Sequence, residues 1–394
     1  MYMAGTISRG VRAPIIRKGD DIVSITVDSV LQAAREEGFS LHDRDVICVT
    51  EAVVARADGN YCTVDDIAAD VKRKLPGTVG VVFPILSRNR FAICLRGIAR
   101  GAKKVVVQLS YPADEEGNHL VDEDALMDAG INPYSTALTV EEFTKLFGVP
   151  VHTFTGVNYV QYYTDLIREE GAEAEIFFCN DPAAMADRAD SILCANIHER
   201  ERTCRRLRKA GAQNVLTLCD IMNEPINGSG FQPEYGLLGS NKATEEQIKL
   251  FPKNAQAVAE GIQAEMLSRT GVHVEAMVYG DGAFKDPVGK IWELADPVVS
   301  PGYTAGLYGL PNELKLKYLA DNEFAGLNGE ELKAAIRQRI KEKNDDLKGR
   351  MESQGTTPRR LTDLIGSLCD LTSGSGDKGT PIVLVQNYFM NYGD

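Results

Sequence analysis

At 394 residues the chain exceeds what one hydrophobic core usually serves, so two domains are expected. Hydrophobic residues at 44% and charged residues at 25% match ordinary globular composition and exclude wholesale disorder. The net charge of −13, with Lys and Arg scattered, repels nucleic acid and anionic membrane, although backbone amides or a metal could still hold a small anion such as a nucleotide.

In chain order, the first strand candidate is Asp45 to Thr50, preceded by a helical pattern from Ser29 to Glu37. Residues from about 10 to 100 read as strand-rich, with turns at Lys18-Gly-Asp-Asp21 and Ala57-Asp-Gly-Asn60. Further strands are expected at Lys104–Leu109, Glu175–Cys179, Ser191–Ala195, Asn214–Cys219, Val272–Tyr279 and Pro381–Gln386. Helical patterns run from Ile197 to Ala210 and from Lys253 to Arg269. Between about 155 and 225, helices and strands alternate as in a small Rossmann-like layer. From about 312 to 370 the sequence is helical and charged. Its stripe of Leu316, Tyr318, Leu319, Leu332, Ile336 and Ile340 is expected to be a domain face or a dimer contact.

The eight cysteines (48, 62, 94, 179, 194, 204, 219 and 369) include no Cys-x-x-Cys pair, and several sit in apolar runs. Buried free thiols in a reducing cytosol are expected rather than disulfides or zinc, and the histidines are isolated from one another. The start, Met1-Tyr-Met-Ala-Gly-Thr6, shows no leader pattern, and runs such as Val79–Leu86 are too short to span a bilayer. A soluble, cytoplasmic protein is the expectation.

Three segments could carry chemistry. Gly374-Ser375-Gly376-Asp377-Lys378-Gly379 formally matches G-x-G-x-x-G, but a helix precedes it and a strand follows, the reverse of a dinucleotide site. What survives is a loop whose backbone N–H groups could face a phosphate, with an exposed loop as the alternative. Met277-Val-Tyr-Gly-Asp281-Gly-Ala-Phe-Lys-Asp286-Pro287 places Asp281 at the end of an apolar strand. A carboxylate there suits Mg²⁺ or Mn²⁺, with Asp286 and Asp296 in support; a strand-end turn is the alternative. Pro14-Ile15-Ile16-Arg17-Lys18-Gly19-Asp20-Asp21 sets cations beside a turn, while Glu51 and Arg56 read by spacing as strand and loop residues. His198-Glu-Arg-Glu-Arg202 lacks the second histidine of a zinc motif and reads as a solvated helix start.

The order of these segments resembles the family of F420-0:γ-glutamyl ligases, which add L-glutamate in γ-linkage to the deazaflavin coenzyme F420 with GTP and divalent metal. The resemblance rests on Pro14 to Asp21, on Asp45 to Gly59, on Tyr279-Gly-Asp-Gly282 and on Gly374 to Pro381, and covers roughly 10–100 and 235–390. It implies an α/β (mixed α+β) two-domain fold: a discontinuous ligase-like region, 1–100 and 235–394, with an inserted Rossmann-like α/β region at 101–234. By the same resemblance Pro14, Ile15, Ile16, Arg17, Thr50, Glu51 and Arg56 would border the nucleotide. The loop Gly374, Ser375, Gly376, Asp377, Lys378, Gly379 and Thr380 would wrap its phosphates, and Asp281 would hold Mg²⁺ or Mn²⁺.

The sequence departs from the family pattern at three places. Leu238-Gly-Ser240-Asn241 stands where the family has a metal-binding Asp, leaving Ser240 or Asn241 as the substitute. Ser375 replaces a loop glutamate, with Asp377 as a shifted carboxylate, and Gly282 replaces a threonine. Neutral ligands in place of anionic ones weaken a divalent-metal site. The implied reaction uses GTP (or ATP), a small-molecule carboxylate acceptor and L-glutamate, in a homodimer. A non-catalytic relative that binds a nucleotide or metabolite is the second expectation. A Rossmann oxidoreductase binding NAD(P) ranks last, because Cys179-Asn-Asp-Pro182 carries no glycine fingerprint.

Overall fold

The computed structural model describes residues 4–86, 90–152, 155–280, 284–285, 292–293, 300–347, 349–354, 359–373 and 377–393. The fold is mixed α/β. One five-stranded sheet runs in the order β1 (Ile7–Val11), β16 (Ile382–Gln386), β2 (Val46–Thr50), β12 (Glu275–Tyr279), β15 (Gly302–Tyr303). β2 and β12 are parallel; the other neighbours are antiparallel. Alternation along these strands sorts side chains to two faces. Ile47, Val49, Ala276, Val278, Ile382 and Leu384 pack beneath helices α1 (Ile22–Glu37) and α9 (Ala255–Thr270). Val46, Cys48, Met277, Tyr279, Val383 and Val385 face the other way, against Ile365 and Cys369 of α12 (Leu361–Ser373). The result is a three-layer sandwich.

A second sheet of six strands has the order β6 (Leu138–Thr139), β7 (Glu173–Phe178), β5 (Lys104–Leu109), β4 (Val79–Val82), β8 (Ser191–Cys194), β9 (Asn214–Thr217). All neighbours are parallel except β6 with β7. Val81, Val107, Phe178 and Leu193 face a large core shared with α3 (Val64–Lys74), α4 (Phe91–Gly101) and α7 (Tyr159–Glu169). The short helices α5 (Glu123–Asp128) and α6 (Val140–Phe147) add Leu126 and Phe143 to it. On the opposite face Val82, Val106, Phe177 and Ile192 meet Cys204 and Leu207 of α8 (Arg200–Lys209). A small antiparallel sheet, β3 (Tyr61–Thr63) with β11 (Gln247–Lys249) and β10 (Asn241–Lys242), links residues near both larger sheets. A separate antiparallel pair joins β13 (Phe284–Lys285) and β14 (Trp292–Glu293).

The helix–strand alternation expected over 155–225 is present, but its sheet begins earlier. β4, from the stretch read as part of the ligase-like region, is a central strand of the six-stranded sheet. The expectation of a strand-rich segment from 10 to 100 gives way to four strands and four helices, one of them α2 (Glu51–Asp58). α1 begins at Ile22 rather than Ser29, because Asp21 of the Lys-Gly-Asp-Asp turn caps it by accepting from the Ser24 N–H. Of the two expectations for the charged C-terminal stripe, its buried members fit the domain face. Leu319, Ile336 and Ile340 close with Leu314 and Leu347 into a core of their own, around α10 (Leu316–Tyr318) and α11 (Gly329–Lys341). No helix among the described residues is long and apolar enough to cross a membrane, and every cysteine is a free thiol.

Two local constraints lie beside the small sheet. Gly239 adopts φ +71°, and a Cβ there would lie 1.7 Å from the Phe251 ring. Arg96 and Arg100 of α4 each reach Glu170 at 2.7 Å, and Arg100 also holds Asp65 at 2.7 Å and Glu246 at 2.9 Å. Burial alone would raise the Glu170 pKa; the hydrogen bonds from Arg100 and Arg96 outweigh it and leave the carboxyl below its ordinary value.

Gly239→Ala is therefore expected to cost about 3 kcal/mol or more, read as a lower denaturant midpoint at unchanged slope. Because the folded Glu170 pKa is depressed, its contribution is present above the ordinary glutamate pKa and is lost as pH falls through the folded value. Glu170→Gln should flatten that acid-side fall in stability; an unchanged profile would remove the network as its cause.

Candidate functional site

Strand register gathers distant segments at one end of the five-stranded sheet. Thr50, the last residue of β2, pairs with Tyr279, the last of β12, while Val49 pairs with Ile382 and Ile382 with Val11. The Thr50 N–H donates to the Pro381 carbonyl at 3.0 Å. The segments after β1, β2 and β12 and the one before β16 therefore share one edge. Helix α2 starts there, with Thr50 as its N-cap and Gly59, at φ +64°, as its C-cap. Its N-terminal N–H groups and the positive end of its dipole lie at the edge.

Glu51 and Arg56 are thus helical, contrary to the strand and loop assignment. The strand pattern ends at Thr50, and the eight-residue helix that follows is too short to announce itself by periodicity. Glu51 is 7% exposed and faces the Lys249 Nζ at 3.0 Å. Lys249 pairs across the small sheet with Asn241, so the two side chains share one face. Asn241, expected from family resemblance as a metal ligand, is thus drawn beside a cation.

Ile16 is buried in the core under α1, whereas Ile15 is 78% exposed and Pro14 is also exposed. Arg17 is exposed; its N–H donates to Asp20 Oδ2 at 2.6 Å, and the Gly19 N–H donates to the Ala57 carbonyl at 2.8 Å. This turn therefore abuts the C-terminal end of α2, where exposed Arg56 also lies. Eight helical residues span about 12 Å, so these two arginines stand away from Thr50. Asp377, Lys378 and Gly379 form an exposed turn, and the Thr380 hydroxyl donates to the Ser373 carbonyl at 2.9 Å. Asp281, Gly374, Ser375 and Gly376, together with Gly282, Asp286 and Asp296, lie outside the described residues.

Sequence reasoning missed Lys249 and Asp58. Lys249 sits in a three-residue strand with no motif around it, and only the cross-strand pairing reveals its ion pair. Asp58, at the last turn of α2, accepts from the Asn254 side chain at 2.6 Å. Burial raises its pKa, and the Asn254 hydrogen bond only partly offsets this. Among the described residues no group of three or more His, Cys, Asp or Glu could hold a metal ion.

This sheet edge thus collects strand ends, a helix N-terminus and a buried carboxylate–lysine pair. A family model described as F420-0:Gamma-glutamyl ligase matches residues 10–387, and the chain belongs to that family of ligases. No curated protein matches it significantly. Among solved structures, the biosynthetic arginine decarboxylase SpeA from Campylobacter jejuni is similar at 12% identity, over 93% of this chain and 68% of that one. The TM-score of that match is 0.14.

Removing either partner of the Glu51–Lys249 pair leaves a charge in a largely buried place. Glu51→Gln and Lys249→Met should each cost about 3 kcal/mol. The double variant should lose clearly less than the sum, as measured by a denaturation cycle; strict additivity would show that the pair is uncoupled.

Proposed function

We propose that the chain is a nucleotide-dependent amide ligase that joins L-glutamate, or another amine, to a small-molecule carboxylate, in the manner of F420-0:γ-glutamyl ligases. The family match supports the reaction class. The single structural observation that carries the reading is the shared edge, where the ends of β2 and β12, the start of α2 and the approach to β16 come together.

In this reading the acceptor carboxylate oxygen attacks the γ-phosphorus of GTP or ATP. The bond from that phosphorus to the bridging oxygen breaks, and the diphosphate leaves. The amine of glutamate then attacks the acyl carbon of the acyl phosphate and loses a proton, and inorganic phosphate departs with its bonding electron pair. Catalysis of this kind is mostly positioning and electrostatics. The N-terminus of α2 and the backbone of the Asp377–Thr380 turn are suited to phosphate oxygens, and Arg17 and Arg56 to an outlying anionic group. Asp281, Asp377 and Asn241 are the proposed partners of Mg²⁺ or Mn²⁺, which would offset phosphate charge.

A second reading, a non-catalytic relative that binds a nucleotide or metabolite, draws on two observations. Glu51 is engaged by Lys249, and no group of three or more His, Cys, Asp or Glu among the described residues could hold a metal ion. Thermal denaturation with GTP or ATP, each with and without Mg²⁺ or Mn²⁺, tests both. A ligand at a hundred times its Kd stabilises by about 2.7 kcal/mol. The ligase reading expects a metal-dependent rise in Tm that Asp281→Ala abolishes. It also expects a new amide, detected by mass, when the protein is given the nucleotide, L-glutamate and a cell extract. Stabilisation without product supports the non-catalytic relative, and no shift with any nucleotide overturns both.

A further inference from the structure

A cavity of about 440 Å³ opens at the carboxyl edge of the six-stranded sheet. Its walls include Phe83 just after β4, Ser110 after β5, Asn180 after β7 and Asn196 after β8. The sheet grows from β4 through β5 to β7 in one direction, then returns to place β8 and β9 on the other side of β4. The cavity therefore lies at the point where strand order reverses, and open parallel sheets leave a crevice there.

Three consecutive backbone N–H groups ahead of α8 converge beside this cavity, and they are filled by a side chain from another loop. The Glu115 carboxylate, carried on the segment after β5, accepts from the N–H groups of Ile197, His198 (3.1 and 3.2 Å) and Glu199 (3.1 Å). A carboxylate there stands in for the anion that such a nest attracts. An independent observation points to a ligand. Asn196 lines the cavity and is only 2% exposed; its amide nitrogen donates to Thr203 Oγ1 at 3.0 Å, yet its Oδ1 accepts no hydrogen bond. A buried amide oxygen without a donor is destabilising, and a ligand donor would relieve it.

The lining also limits what can bind. Arg202 is already paired with Glu199 at 2.9 Å and Arg206 with Asp181 at 2.9 Å. No surplus of positive charge is left for a polyphosphate. The turn after β4, Phe83-Pro84-Ile85-Leu86, has no glycine to admit a pyrophosphate closely. The geometry points to a second binding site for a small metabolite that carries one anionic group, a phosphate monoester or a carboxylate, together with hydroxyl or amine donors. Its anionic group takes the nest of Ile197, His198 and Glu199 when Glu115 swings out, so Glu115 is a built-in competitor for the site. This inference is independent of the ligase reading.

The test is titration of the isotopically labelled full chain with inorganic phosphate, adenosine monophosphate and L-glutamate separately, following the backbone amides of Ile197, His198 and Glu199 by NMR. The expected result is a saturable shift of those three amides with at least one probe. Glu115→Gln should tighten binding by about tenfold if the carboxylate fills the nest nine-tenths of the time. Asn196→Asp, which sets a negative charge beside the anion, should weaken it. Response to phosphate and the monophosphate but not glutamate assigns a phosphate ester, and the reverse assigns a carboxylate. No shift of these amides by any probe, in the wild type or in Glu115→Gln, overturns the site. So does binding that moves other amides only, or affinity unchanged in Glu115→Gln.

Discussion

The hydrogen bond from the Thr50 N–H to the Pro381 carbonyl joins two parts of the chain that are more than three hundred residues apart. It extends the antiparallel ladder of β2 and β16 by one step, and the register of that ladder settles what stands at the sheet edge. A slip of one residue would turn Ile382 and Leu384 away from α1 and α9 and drive them toward α12. Both faces of the sheet are buried, so the register is specified twice over. The edge inherits that precision: Thr50, Tyr279 and Pro381 cannot shift relative to one another without unpacking a core.

Each of the two larger sheets places a carboxylate of the chain near the start of a helix. At the edge of the five-stranded sheet, a short helix begins directly after a parallel strand, and its first residue, Glu51, is answered by Lys249 from the small sheet. At the carboxyl edge of the six-stranded sheet, the N–H groups ahead of α8 are answered by Glu115. In both cases a carboxylate lies near the positive end of a helix, where a ligand anion would also be favoured. The difference is the cation: Lys249 holds Glu51 in its place, whereas hydrogen bonds to the nest are what anchor Glu115 there.

Much of the fold was legible because buried strands write themselves as short β-branched runs, and β2, β5, β8 and β16 fall almost where those runs lie. The motif order likewise identified the ligase family without any geometry. Short elements were less legible. α2 carries too few residues for a period of 3.6 to show, and β4 carries no mark of which sheet it joins. The apolar stripe near Ile336 reads equally as a domain face or a dimer contact, because a helix face looks the same whether its cover comes from another chain or from its own.

By itself, then, the sequence determined composition, free thiols, the α/β alternation and the kinship carried by its two end segments, since each is local or is a matter of order along the chain. Only the tertiary structure decided that Lys249 meets Glu51, that Arg17 and Arg56 share the far end of α2, and that Glu115 reaches the start of α8. Those contacts join residues from tens to hundreds of positions apart. Their partners are chosen by strand pairing and close packing, which leave no local signal in the residues that make them.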